Sequence, residues 1–153
     1  MALPSTTPVS FTPAQGQFEV DSITLGTTPG GAAAGATIDL DPGFVVSGKV
    51  SLPAWLPGSG TAQGKVCLYA DELGGPVNTS IGCTDVDFTG PTVTSDPPGM
   101  VTVPWQIIVT PGSGLPDPQP GASQLYHLAA VFTYGAQTTD IAAFIDVGEY
   151  VIN

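Results

Sequence analysis

Gly43-Phe44-Val45-Val46-Ser47-Gly48-Lys49-Val50-Ser51-Leu52-Pro53 alternates with a period of two. Phe44, Val46, Gly48, Val50 and Leu52 share one parity, and Val45, Ser47, Lys49 and Ser51 share the other. Successive side chains of a strand point to opposite faces, so this is a strand with one apolar face and one mostly polar face. Pro53 ends it, because proline cannot donate to a sheet ladder.

The same period recurs along the chain. Gly64–Ala70 sets Val66, Leu68 and Ala70 against Lys65, Cys67 and Tyr69. Ile81–Phe88 sets Thr84, Val86 and Phe88 against Cys83, Asp85 and Asp87. In Met100–Thr110 the inward set is Val101, Val103, Trp105, Ile107 and Val109. In Leu125–Tyr134 it is Tyr126, Leu128, Ala130, Phe132 and Tyr134. Gln17–Leu25 changes phase: Phe18 and Val20 have one parity, Ile23 and Leu25 the other, which predicts a bulge near Asp21-Ser22. Asp140–Val147 is apolar at both parities, and Glu149–Ile152 extends it. Gly30–Ala36 has no amphipathic face and reads as loop. About seven strands separated by turn signals predict an all-β, antiparallel β-sandwich. A small β-barrel is the alternative. The expected organisation is an extended arm over residues 1–15 and a single sandwich over 16–153.

The chain has 153 residues, enough for one domain with a substantial core. Gly (20) and Pro (16) are abundant, but the short apolar runs oppose disorder and mark these residues as turn punctuation. Two basic residues against 13 acidic ones give a net charge of -11, with no arginine. That balance excludes the usual nucleic-acid binder, which neutralises phosphates with Lys and Arg, and a polybasic grip on anionic lipid. Met1–Pro8 has neither the basic nor the apolar region of a signal peptide, and no stretch approaches the ~20 apolar residues of a membrane helix. An extracellular or particle-surface setting is the expectation, without membrane insertion.

Pro120-Gly121-Ala122-Ser123-Gln124-Leu125-Tyr126-His127-Leu128-Ala129-Ala130-Val131 resembles the approach to the sixth strand of immunoglobulin-like and fibronectin-type domains. The resemblance implies a Greek key in which Tyr126 is the tyrosine corner. The Cys…Trp…Cys spacing of antibody domains is absent, since Cys83 is not on the strand carrying Tyr126.

A hairpin turning at Gly74-Gly75, in the register where facing residue numbers sum to 150, would pair Cys67 with Cys83 and Lys65 with Asp85. The two cysteines are therefore a candidate disulfide, the alternative being two unconnected small side chains on different sheets. Two cysteines with no further Cys or His cluster do not make a tetrahedral metal site.

Catalytic signals are lacking. His127 is the single histidine, and no Gly-x-Ser-x-Gly elbow accompanies it. Asp39-Leu40-Asp41 and Asp85-Val86-Asp87 have the alternation of calcium loops but not the remaining ligands; solubilising charge and turn capping explain them equally. Trp55, in Leu52-Pro53-Ala54-Trp55-Leu56-Pro57, is the candidate contact for a glycan ring, against a loop aromatic folded over the sandwich end.

The outward parities carry too few polar residues. They include His127, Ala129, Val131 and Thr133 on one strand, while Ile141, Ala142, Ala143, Phe144 and Ile145 follow one another in the last. Apolar outer faces mark protein contacts. The expected assembly face is His127, Ala129, Val131, Ile141, Ala143 and Ile145. The functional expectation is a non-enzymatic structural subunit without a cofactor. It would self-assemble or dock on a larger particle such as a filament, capsid or surface layer. A carbohydrate- or cell-surface-binding module, calcium-dependent or not, is the alternative.

Overall fold

A computed structural model describes residues 9–11, 16–55, 63–75, 77–90, 93–95, 98–115, 124–136 and 139–153. They form nine strands and no helix: β1 (Val9–Phe11), β2 (Gly16–Leu25), β3 (Thr37–Ile38), β4 (Phe44–Pro53), β5 (Gln63–Glu72), β6 (Asn78–Asp87), β7 (Met100–Val109), β8 (Gln124–Ala136) and β9 (Thr139–Ile152). Seven are long, and β1 and β3 are short additions. Sheet 1 has the order β1-β2-β4-β7 and sheet 2 the order β3-β9-β8-β5-β6. Every pairing is antiparallel except β3 with β9.

The long strands thus arrange as β2-β4-β7 facing β9-β8-β5-β6. Among the long strands the chain crosses between the sheets from β4 to β5, from β6 to β7 and from β7 to β8, and the short β3 adds a visit to sheet 2 between β2 and β4. This is the immunoglobulin-like Greek key with a fourth long strand on the second sheet. Tyr126 lies buried at the start of β8. The loop to which a tyrosine corner would bond, residues 116–123, lies outside the described residues, as does most of the 1–15 arm.

The core is where the period-two pattern puts it. Phe18, Val20 and Ile23 from β2, Phe44, Val46, Val50 and Leu52 from β4, and Val103, Trp105, Ile107 and Val109 from β7 meet the inner residues of sheet 2. Aromatic rings line the interior: Phe18 of sheet 1 stands 5.9 Å from Phe132 of sheet 2 and 5.8 Å from Trp105 of its own sheet, and Phe88, just past β6, contacts Phe132 and Tyr134 edge-on. The phase change in β2 is a bulge between Val20 and Ser22.

Two further bulges reset the outer faces. In the β5–β6 hairpin, Leu68 pairs with Gly82 but Tyr69 pairs with Ser80, so Ile81 is the extra residue. In β8–β9, Leu128 pairs with Gly148 but Ala129 pairs with Asp146, so Val147 is the extra one. The second bulge corrects the expected assembly face. Ala143 and Ile145 are buried in the core at 7% and 3% exposure, and the outward residues of β9 are Ala142, Phe144 and Asp146. The side chain of Ile141 lies outside the described residues, though its backbone pairs with Tyr134.

Candidate functional site

The two outer faces differ in chemistry. On sheet 1 the outward residues are mainly hydroxylic or charged. Ser22 bonds Ser47 at 2.9 Å, Ser51 bonds Thr102 at 2.8 Å, and Glu19 lies opposite Lys49. Partial burial and then the neighbouring Asp21 charge raise the Glu19 carboxyl above its ordinary range, with Lys49 opposing. An open depression of about 390 Å³ on this face is lined by Asp21, Ser47, Lys49, Pro104 and Gln106 among others.

On sheet 2 the register builds an apolar centre. One row across the four long strands reads Cys83, Cys67, Val131, Phe144. The next reads Ser80, Tyr69, Ala129, Asp146. Cys67 and Cys83 are joined as a disulfide, which places two linked sulfurs at the β5–β6 end of the row. Ser80 Oγ lies 3.5 Å from Cys83 Sγ. Phe144 is 57% exposed and Tyr69 39%.

Charged residues bound this centre on both sides. Lys65 and Asp85 form the β5–β6 pair beyond the disulfide, followed by Asp87. Asp71, His127 and Glu149 form the row on the other side. His127 Nε2 is 2.8 Å from Asp146 Oδ1, and Nδ1 is 4.0 Å from Glu149 Oε1. Both imidazole nitrogens therefore face carboxylates on an open sheet surface. A nucleophilic triad needs the second nitrogen on a hydroxyl or thiol.

One carboxylate of each acidic pair is engaged locally. The Thr89 hydroxyl and then its backbone N–H donate to Asp87 Oδ1 at 2.7 and 2.8 Å, holding that carboxyl below its ordinary range. Asn153 Nδ2 donates to Asp39 Oδ1 at 3.3 Å. Among the described residues, no three His, Cys, Asp or Glu side chains converge on a metal-sized site. Trp55 stands in the turn after β4 and is 65% exposed. It follows a strand of sheet 1, whereas His127, Ala129 and Val131 lie on β8 of sheet 2.

The chain matches no protein-family model, no curated protein and no solved structure. Its functional reading rests on its own surface.

Sequence reasoning named His127, Ala129 and Val131 on this face but missed Phe144 and Tyr69 as its aromatic members. A signal for Phe144 was present. Ala143, Ile145 and Val147 are odd-numbered and Tyr150 and Ile152 even, the same change of parity that marks the bulge in β2.

Proposed function

We propose that the chain is a non-enzymatic structural subunit that docks into a larger protein assembly through the outer face of sheet 2. The observation that carries this reading is the contrast between the two outer faces of one sandwich. Sheet 1 turns mainly a hydroxyl and charge ladder to solvent, with Ile108 as an exposed apolar side chain at one end of it, whereas sheet 2 turns Phe144, Val131, the Cys67–Cys83 disulfide and Tyr69 outward in adjacent rows. Solvent-facing sheets are ordinarily polar, and a contiguous apolar stripe with a polar margin is the anatomy of a contact surface. A ladder about 3.3 Å per residue, with strands about 4.8 Å apart, gives four ten-residue strands a face of roughly 600 Å². That approaches the ~800 Å² each partner contributes to a standard interface.

The test is native size fractionation of the tagged chain expressed in its own source. Wild type is expected in a high-mass fraction, and Phe144→Asp at the size of a single chain. Wild type running as a single chain throughout would end the structural-subunit reading.

A second reading rests on Trp55, whose 65% exposure leaves an indole face free for a sugar ring. Under it, a glycan screen gives binding that Trp55→Ala abolishes and Phe144→Asp leaves intact.

A further inference from the structure

The docking face is acidic as well as apolar, and this chain cannot supply its complement. Asp85 and Asp87 lie beyond one side of the stripe, and Asp71, Asp146 and Glu149 on the other; the cationic side chains among them are Lys65 and, when protonated, His127. A second copy pressed against this face with its own sheet 2 face would bring the same carboxylates together. The chain has no arginine, and its other lysine, Lys49, stands on the outer face of sheet 1. Like charges brought together in an interface are penalised and opposite ones steer and fix the partner.

We infer that the occupant of the sheet 2 face is a different protein, one presenting an apolar centre ringed by Lys and Arg, and not a second copy of this chain. The inference rests on the docking reading above and sharpens it. The apolar row supplies the buried centre, Tyr69 and Phe144 its aromatic anchors, and the acidic margin its selectivity and salt dependence. The -11 net charge extends the same preference over the whole subunit: it repels copies and attracts basic surfaces.

A defined probe follows from the composition: the same chain carrying Asp71→Lys, Asp85→Lys, Asp146→Lys and Glu149→Lys. It presents the same apolar row inside a basic margin. All four positions are partly or fully exposed, so the core is untouched; circular dichroism and a cooperative melt verify the fold before use. Sedimentation velocity is run on wild type alone, on wild type with the probe, and on both partners with Phe144→Asp or Phe144→Ser. The expected result is that wild type alone stays monomeric. The mixture forms a heterodimer that weakens about tenfold or more between low and roughly 0.3 M salt, and either Phe144 variant removes it. Wild type that self-associates in a Phe144-dependent way overturns the inference while leaving the docking face in place. A heterodimer indifferent to Phe144, or no heterodimer at all, overturns both.

Discussion

The Trp105 indole lies over Gly48 of the neighbouring strand. A methyl group at position 48 would stand 2.7 Å from Trp105 Cζ2 and would also meet the Glu19 carbonyl oxygen. Val20, Gly48 and Trp105 form one row across β2, β4 and β7. The absent side chain in the middle lets the indole reach Phe18 at 5.8 Å. Gly48→Ala is therefore expected to destabilise the fold by about 1–3 kcal/mol, the usual cost of overpacking a tight core. Trp105→Phe in the same chain should recover only part of this, because the Glu19 backbone contact remains. Denaturant midpoints of the two single variants and the double variant measure the coupling.

The Cys67–Cys83 disulfide closes a loop with a sequence separation of 16. Loops of that length constrain the unfolded chain by about 3 kcal/mol in the chain-entropy model. Reduction should lower the unfolding free energy by that amount without unfolding the domain, since neither sulfur belongs to the core. Cys67→Ala with Cys83→Ala should match the reduced protein. A double variant as stable as the oxidised wild type would remove the cross-link from the stability account.

Tyr150 is buried, and among the described residues its hydroxyl has no hydrogen-bond partner. Burial pushes its pKa up to about 12. In the unfolded chain a tyrosine ionises near its ordinary value of about 10. Between those values the unfolded state has lost the proton and the native state has kept it, so stability falls as pH rises from about 10 towards about 12. Tyr126, buried and beside Glu72, and Tyr134, buried, add to the same alkaline fall. Tyr150→Phe removes an unsatisfied hydroxyl. It should leave neutral-pH stability unchanged or raise it by up to about 1 kcal/mol, and should flatten the alkaline fall. Urea midpoints of wild type and variant from pH 8 to 11 check both.

Strand identity was legible wherever period two ran unbroken. Phe44 to Leu52 and Val101 to Val109 alternate over their whole length, and the structure places those residues as the pattern does except Val45, which is buried although its parity is outward. The Cys67 and Cys83 register was legible because the two chemically matched pairs, Cys67 with Cys83 and Lys65 with Asp85, lie on the same side of the β5–β6 bulge; the extra residue Ile81 shifts only the pairs nearer the turn, from Tyr69 with Ser80 onward. The outer face was less legible. A bulge inverts the parity of everything on one side of it. With Val147 unrecognised as the extra residue, β9 looked apolar on both faces. Strand order depended on the crossings between sheets, which leave no local pattern.

That inversion makes a direct prediction for two adjacent residues of β9. Ile145 is 3% exposed and faces the core, while Phe144 is 57% exposed and pairs with Val131 on the outer face. Ile145→Ala should cost about 2–4 kcal/mol, the transfer and cavity terms of a buried aliphatic side chain. Phe144→Ala should fall within about 0.5 kcal/mol of wild type, although it removes the larger side chain. Neither change should alter the dependence of unfolding on denaturant concentration, since both leave the two-state fold intact. If the bulge were absent and the strand kept one parity from Tyr150 and Ile152 backwards, the costs would exchange. Phe144→Ala would then be the severe substitution and Ile145→Ala the mild one. Urea unfolding of the two variants therefore reads the position of the Val147 bulge, and with it whether Phe144 is available to a partner.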